Sequence, residues 1–97
     1  MNLPNMVLFD VDGTLIGEND EPRDDVIDLL LSISEFAAVG VWSGSGGEYA
    51  EMRVRRLGLG PYVEWTGSKL ARPLNHHVLF TVDDVDTTDF GVPNLTV

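Results

Sequence analysis

The sequence predicts an α/β fold in which helices flank one doubly wound, mostly parallel β-sheet. Three observations support this prediction. Short apolar runs typical of buried strands alternate with segments of helical spacing or turn composition. Several of these runs end in polar or acidic residues, as strands of parallel sheets do at the edge where ligands bind. The chain has 97 residues with 43% hydrophobic content, which provides for one compact domain, residues 1–97.

The first predicted elements are a strand and a helix. The apolar run Met6–Phe9, which ends at Asp10, predicts a buried strand. Turn-forming residues over 16–22 predict a short excursion from the sheet. Pro22 suits the first turn of a helix, and the apolar residues after it recur at spacings of three and four. We therefore expect an amphipathic helix over roughly Pro22–Ala37, with its apolar stripe in the core.

A second strand, a glycine turn and a second helix are expected next. The run Ala38–Ser43 predicts a buried strand, and glycines follow it at 44, 46 and 47. A helix that contains Tyr49 and Leu57 is expected to follow and to end at Gly58. Such a corner between strand and helix can bind an anion, although glycine-rich turns are common without that role.

Three further strands complete the predicted sheet. The runs Pro61–Trp65 and His77–Val82 predict a third and a fourth strand, and Val92–Val97 predicts a short edge strand. The fourth run is followed by Asp83 and Asp84, so it repeats the pattern of an apolar strand that ends in carboxylates. Because crossover connections make neighbouring strands parallel, these strand ends should meet at one edge of the sheet.

The composition excludes several classes of function. The chain has no cysteine, which rules out thiol catalysis and cysteine-ligated zinc. Its net charge of −10 disfavours broad, nonspecific binding to nucleic-acid phosphates. A phosphorylated substrate stays compatible with this charge, because a divalent ion can reverse the local potential. The sequence shows no signal peptide or transmembrane stretch, so we expect a cytoplasmic protein with no membrane partner.

Two carboxylates at the end of the first strand predict a site. Asp10 and Asp12 are separated by one residue and are followed by Gly13 and Thr14. In extended geometry their carboxylates project to the same side, so they repel unless a cation lies between them or one is protonated. This arrangement is typical of a magnesium-dependent phosphoryl-transfer site. The alternatives are a plain acidic turn and a calcium loop, although Leu15 interrupts the oxygen ligands that a calcium loop needs.

Other residues that attract attention have structural interpretations. His76 and His77 are adjacent and point opposite ways in an extended chain, so we expect them on the surface. Trp42 and Trp65 fall in strand-like runs and are expected in the core. The arginines of the second helix are expected on a solvated face beside nearby acids, Arg53, Arg55 and Arg56 with Glu48 and Glu51.

Separate parts of the chain contribute polar residues to the predicted edge, namely Asp10, Asp12, Ser43, Lys69, Asp83 and Asp84. In this order they resemble the four motifs of the haloacid dehalogenase superfamily, most of whose members are phosphatases. The segment Asp10–Leu15 is the specific part of a resemblance that spans nearly the whole chain. Val-Trp-Ser-Gly at 41–44 and Arg-Leu-Gly-Leu at 56–59 are similar to the short members found in bacteriophage genomes. The resemblance implies a minimal Rossmann-like domain without a cap.

The resemblance also implies catalytic and metal-binding roles. Asp10 would be the nucleophile and form an aspartyl-phosphate that water hydrolyses. Asp12 would act as general acid and then as general base. Magnesium would be held by Asp10, the backbone carbonyl of Asp12, and a carboxylate from Asp83 or Asp84.

A second set of residues would bind the phosphoryl group of the substrate. The resemblance implies that Ser43 and the amide of Gly44 donate hydrogen bonds to the phosphoryl oxygens, and that Lys69 adds positive charge there. Gly13 and Thr14 complete the expected substrate-binding set. Ser43 and Lys69 also count among the expected catalytic residues.

Two departures from the family pattern leave assignments open. Lys69 precedes Asp83 by only fourteen residues, so the helix usual in this interval must be shrunken or missing. Arg72 is a rival for the cationic role of Lys69. Asp86 and Asp89 do not match the usual spacing, and Asp86 is kept as an acid outside the metal-binding pair.

These observations lead to one principal hypothesis and two alternatives. The principal one is a magnesium-dependent phosphomonoester hydrolase. Without a cap its site should be open, which suits a nucleotide or polynucleotide phosphate, a phosphoprotein, or a partner that completes the pocket. The first alternative is a catalytically weak binding or regulatory module whose acidic surface contacts a protein. The second is a phosphoacceptor domain of the response-regulator kind. That design carries its acid pair and its phosphoacceptor on different strands, whereas here the acid pair and Gly13-Thr14 lie together after the first strand.

Overall fold

A computed structural model describes residues 2–86 and 91–97 of the chain. Its elements are β1 (Asn5–Asp10), α1 (Asp24–Ile33), β2 (Ala38–Ser43), α2 (Gly47–Arg56), a short 3₁₀ helix (Gly60–Tyr62), β3 (Trp65–Ser68), β4 (His77–Asp83) and β5 (Asn94–Thr96). The described strands form one sheet in the order β3-β2-β1-β4-β5, and every neighbouring pair is parallel. The predicted α/β fold with a doubly wound parallel sheet is confirmed.

The two faces of the sheet are covered differently. Both helices contribute buried residues to one core cluster, which includes Val7 and Phe9 of β1. The alternating residues Met6 and Leu8 belong to a second cluster, together with Trp42 of β2. Right-handed crossovers from β1 to β2 and from β2 to β3 place both helices on the same face. The connection over 69–76 contains no helix, as the short interval before β4 predicts, and Arg72 from this connection lies over Trp42 on the second face.

Helix α1 is shorter than the sequence predicts at both ends. Pro22 pairs with Ile16 in an antiparallel bridge, so it closes the excursion after β1 instead of entering the helix. At the other end the hydroxyl of Ser34 donates a hydrogen bond of 2.6 Å to the carbonyl of Leu31. Such bonding competes with the helical pattern. Phe36 lies beyond the helix and is 72% exposed, so its predicted place in the apolar stripe is wrong.

The third strand begins later than predicted. Pro61 lies in the short 3₁₀ helix, and β3 starts at Trp65. In the register of the two strands Ser68 pairs with Ser43, so Lys69 leaves β3 at the carboxyl edge. The backbone N–H of Lys69 donates to the carbonyl of Ser43 at 3.1 Å. This register decides which residue of the following loop reaches the candidate site.

The remaining predicted elements agree with the structure within a few residues. β2 occupies the predicted range, β4 reaches one residue further, and β5 is shorter than predicted. Trp42 is 1% exposed, as expected for the core, and Trp65 is partly buried against the second cluster. Across the part of the chain that is described, no helix has the length and apolar character needed to cross a membrane.

Candidate functional site

The carboxyl ends of three neighbouring strands meet at one edge of the sheet. Asp10 is the last residue of β1, Ser43 of β2 and Asp83 of β4. All three residues are buried, with exposures of 6% or less. Because β1 lies between β2 and β4, Asp10 occupies the middle of this edge. The predicted gathering of polar strand ends is therefore present.

Lys69 connects the acids of β1 and β4. Its Nζ atom lies 3.0 Å from Oδ1 of Asp10 and 2.7 Å from Oδ2 of Asp83. Arg72, the rival for this role, contacts a different part of the molecule. Its guanidinium carbon lies 5.3 Å from the ring centroid of Trp42, which belongs to the second cluster. Lys69 is thus the cation that the fold brings to these carboxylates.

Three carboxylates converge beside Lys69. Asp10, Asp83 and Asp84, called the carboxylate triad below, each offer one oxygen, and these oxygens lie within 4.8 Å of one another. Oδ1 of Asp83 also accepts a hydrogen bond of 3.1 Å from the backbone N–H of Val85. Asp86 is exposed and is not a member of the triad. Carboxylate oxygens are the ligands that hard divalent cations prefer, so the triad could hold a metal ion.

The electrostatics of the triad favour a cation. Burial, together with the charge of Asp83, raises the pKa of Asp10 to about 6, against the hydrogen bond from Lys69, which lowers it. Burial and the neighbouring Asp83 carboxylate also raise the pKa of Asp84. Burial lowers the pKa of Lys69, but hydrogen bonds to Asp83 and Asp10 outweigh this effect and leave that pKa raised. A divalent cation would relieve the repulsion that remains among the three acids.

The turn after β1 brings two further predicted residues to Asp10 and Asp84. Thr14 is fully buried, and its hydroxyl donates a hydrogen bond of 3.2 Å to Oδ2 of Asp10. Gly13 has a φ of +82°, and a Cβ atom at this position would collide with the carboxylate of Asp84. The carbonyl of Gly13 accepts a hydrogen bond of 2.8 Å from Arg23. The backbone angle therefore favours glycine, and a larger residue would also have to displace the Asp84 carboxylate.

We expect Gly13→Ala to lower the free energy of unfolding by about 1–2 kcal/mol. The left-handed backbone costs an L-residue about 1 kcal/mol, and the added methyl group must also displace Asp84. Urea unfolding followed by circular dichroism measures the change. Gly44→Ala is the matched control, because a Cβ atom at Gly44 meets no atom within 4 Å. Equal midpoints for the two variants would contradict the assigned role of Gly13.

Asp12 does not continue the strand. β1 ends at Asp10, and Asp12 lies in the following turn, where it forms a bridge with Ile16. The extended geometry predicted through Asp12 is therefore not observed. Its exposed carboxylate is not a member of the triad, and its Oδ1 atom accepts a hydrogen bond of 2.6 Å from the hydroxyl of Tyr49. The two acids of the motif thus have different surroundings.

The corner between β2 and α2 has the predicted order of strand, glycine turn and helix start. Oγ of Ser43 accepts a hydrogen bond of 3.0 Å from the backbone N–H of Ser45, and its hydroxyl proton can still be donated. Gly44 is exposed, with open space around its Cα atom. Gly46 precedes α2 with a φ of +109°. Ser43 and Gly44 therefore lie at the same sheet edge as Asp10.

Three residues near the site were not predicted from the sequence. Arg53 was expected on a solvated face, but its Nε atom donates to the hydroxyl of Tyr49 at 3.2 Å. Its guanidinium also pairs with Asp20 at 3.1 Å. Burial and the hydrogen bond to Asp12 raise the pKa of Tyr49, so its hydroxyl keeps its proton at neutral pH. One sequence feature could have indicated that Tyr49 lies near the site, namely its position in the first turn of α2, directly after the glycine corner.

The other charged and aromatic residues are close to expectation. Arg55 pairs with Glu51 at 3.2 Å on the solvated face of α2. His76 lies 3.3 Å from Glu64, and His77 begins β4 in an exposed position. Asp89 lies outside the described residues.

Comparison with known proteins adds no assignment. The chain matches no protein-family model and no curated protein sequence. The chemistry that can be inferred therefore depends on the geometry of the sheet edge. That geometry comprises a buried nucleophile candidate, a cation bonded to it, a carboxylate triad and, across the turn, a second acid that contacts Tyr49.

Proposed function

We propose that this chain is a magnesium-dependent phosphomonoester hydrolase, a short capless member of the haloacid dehalogenase superfamily. The observation that carries the proposal is the environment of Asp10. Its two oxygens are held separately, Oδ1 by Lys69 at 3.0 Å and Oδ2 by Thr14 at 3.2 Å. The same carboxylate belongs to the triad with Asp83 and Asp84. A carboxylate that is buried, oriented and placed beside a cation-binding group is suited to nucleophilic catalysis.

In the first step Asp10 attacks the substrate. A carboxylate oxygen of Asp10 forms a bond to phosphorus while the ester P–O bond breaks, and an aspartyl-phosphate results. The leaving oxygen takes a proton from Asp12, which acts as general acid. Lys69 and Thr14 orient the attacking carboxylate, which reduces the freedom that the reaction must remove. Ser43 and the amide of Gly44 donate hydrogen bonds to the phosphoryl oxygens.

In the second step water hydrolyses the aspartyl-phosphate. Asp12, now ionised, takes a proton from the attacking water, and the bond between phosphorus and Asp10 breaks. Inorganic phosphate leaves, and both carboxylates return to their starting states. The exposed position of Asp12 lets it reach the leaving group in the first step and water in the second.

The metal would be held by the carboxylate triad and the backbone carbonyl of Asp12. The oxygen-only donor set and the accumulated negative charge fit a hard divalent cation, and we propose Mg²⁺. When bound, this ion would neutralise phosphoryl charge and help to align the substrate. Lys69 contributes the fixed positive charge that the chain itself supplies.

The substrate is proposed to be a nucleotide or polynucleotide phosphate. Asp12, Gly44 and Asp84 are exposed around the buried Asp10, so a bulky phosphate ester can approach. The net charge of −10 makes tight binding to the rest of a nucleic acid unfavourable. Recognition of a terminal phosphate is therefore the mode of binding that we favour.

Phosphate release from an aryl phosphate tests the proposed function. We expect turnover with Mg²⁺, a loss of at least about 100-fold after treatment with EDTA, and recovery when Mg²⁺ is added back. Ca²⁺ should not replace Mg²⁺, because it tolerates looser coordination and does not enforce the octahedral geometry. Turnover that persists without divalent ions would contradict the proposal. A stable phosphorylated chain without phosphate release would indicate a phosphoacceptor domain.

A further inference from the structure

A chain of polar contacts connects the turn after β1 to helix α2. The hydroxyl of Tyr49 donates to Oδ1 of Asp12 at 2.6 Å, and the two residues are 37 positions apart in sequence. Arg53 donates to the same hydroxyl oxygen at 3.2 Å and pairs with Asp20 at 3.1 Å. The guanidinium of Arg53 also lies 5.4 Å from the ring centroid of Tyr49. Arg53 therefore contacts both the ring and the hydroxyl oxygen of Tyr49.

Asp12 depends on such a contact more than Asp10 does. Asp10 is buried at the end of a strand and is held by Lys69 and Thr14. Asp12 is exposed and lies in a turn, where an aspartate side chain can occupy several rotamers. A hydrogen bond from a side chain that is itself held in place selects one of these rotamers.

Helix α2 holds in place the Tyr49 side chain that contacts Asp12. Tyr49 and Arg53 are four residues apart on α2 and therefore share one face of the helix. The side chain of Arg53 is only 15% exposed, which is low for an arginine on a surface helix. Its partner Asp20 lies in the excursion after β1, with a φ of 61°. Arg53 thereby connects the excursion after β1 to α2 and contacts the hydroxyl of Tyr49 on the same helix.

We propose that Tyr49 is a positioning residue that holds the Asp12 carboxylate for proton transfer. This inference rests on the proposed function, because it assigns Tyr49 a part in phosphate-ester hydrolysis. Tyr49 bonds Oδ1 of Asp12, so Oδ2 is the oxygen that exchanges a proton with the leaving group. The ring hydroxyl donates to Asp12 and accepts from Arg53, a combination that phenylalanine cannot reproduce.

The test compares kcat/KM of Tyr49→Phe with that of the unaltered chain on two substrates that differ in their leaving group. kcat/KM reports the steps up to formation of the aspartyl-phosphate, in which Asp12 protonates the departing oxygen. A 4-nitrophenolate leaves readily without a proton, whereas unsubstituted phenolate needs one. We expect kcat/KM to fall by about tenfold or more with phenyl phosphate and by less than about threefold with 4-nitrophenyl phosphate.

The outcomes separate a positioning role from a structural one. Tyr62→Phe is the matched control, because it removes the same hydroxyl from an exposed tyrosine in the 3₁₀ helix. Equal losses on both substrates would indicate general damage and would overturn the inference, as would unchanged kinetics with phenyl phosphate. A selective loss with phenyl phosphate, absent in Tyr62→Phe, would support it.

The rotamer of Asp12 in crystal structures tests the inference without a measurement of turnover. Crystal structures of the full chain and of Tyr49→Phe should show the Asp12 carboxylate in one rotamer in the former and displaced or spread over several in the latter. An unchanged Asp12 rotamer would overturn the inference. Absence of magnesium-dependent turnover in the unaltered chain would overturn the proposed function, and the two crystal structures would still decide whether Tyr49 holds Asp12.

Discussion

Asp10→Asn is expected to lower magnesium-dependent phosphate release by at least about 10⁴-fold, because the substitution removes the nucleophile and nearly preserves the volume of the side chain. The amide can still contact Lys69 and Thr14, so the surroundings of the site should persist. Steady-state phosphate release at saturating Mg²⁺ measures the loss. Asp28→Asn is the matched control, because Asp28 is exposed on α1, and its turnover should equal that of the unaltered chain.

Measuring the stability of this variant will separate loss of the nucleophile from unfolding. Burial raises the pKa of Asp10 from 3.8 to about 6, so the fold disfavours the ionised form. With Asp10 protonated, at low pH, the free energy of unfolding is highest. It falls as the pH rises from about 4 through about 6, because the folded chain must then bury an ionised carboxylate. The full difference corresponds to about 3 kcal/mol, with a smaller observed value because Asp10 keeps some access to solvent.

In metal-free buffer we therefore expect Asp10→Asn to be more stable than the unaltered chain by about 1–2 kcal/mol at pH 8. The advantage should shrink at about pH 4.5, where the folded chain holds the proton on Asp10. Urea unfolding at the two pH values measures the difference. A destabilised variant, or a difference that does not change with pH, would contradict the assigned burial of Asp10. Retained turnover in this variant would contradict its role as nucleophile.

Lys69→Met is expected to reduce both turnover and stability. Methionine keeps much of the aliphatic length but removes the charge that pairs with Asp10 and with Asp83, whose side chain is 1% exposed. Breaking a fully buried pair by removing one partner costs about 3–5 kcal/mol. We expect a loss of about 2–3 kcal/mol in metal-free buffer, because the Lys69 side chain is 22% exposed while the buried Asp83 carboxylate loses its counter-ion. Turnover should fall by about 100-fold or more, because the fixed positive charge at the site is lost.

Magnesium should restore part of this stability. A divalent ion at the carboxylate triad supplies charge where Lys69 supplied it, so Mg²⁺ should raise the unfolding midpoint of Lys69→Met more than that of the unaltered chain. Arg72→Met is the matched control, because the guanidinium of Arg72 lies over Trp42 on the other face of the sheet. We expect that variant to retain turnover within a few-fold. Loss of turnover in Arg72→Met but not in Lys69→Met would reverse the assignment of the catalytic cation.

The sequence predicts the central strands well for a physical reason. β1 and β2 are buried along almost their whole length, and β4 is buried at its carboxyl end, so each contains an apolar run that ends where a polar residue reaches the open edge. The edge strand β3 has the sequence Trp-Thr-Gly-Ser and shows no such run. Its extended state comes from pairing with residues 40–43 of β2, which no local pattern records.

The two ends of α1 show a different limit of the sequence pattern. Pro22 is compatible with a helix start, but its pairing with Ile16 takes it out of the helix. Spacing alone likewise predicted Phe36 in the apolar stripe, whereas the helix has already ended at Ile33. The periodic pattern is compatible with a longer helix, but the bridge at Pro22 and the Ser34 hydrogen bond to Leu31 set its two ends.

By itself the sequence determined the parallel α/β architecture and the gathering of Asp10, Ser43 and the Asp83–Asp84 pair at one sheet edge. It did so because parallel strands align their carboxyl ends, so residues that directly follow apolar runs must meet there. Only the tertiary structure decided between Lys69 and Arg72, since the pairing of Ser68 with Ser43 sends the first to the edge. It also brought Tyr49 to Asp12 across 37 positions, because the packing of α2 against the sheet, and no local pattern, sets that distance.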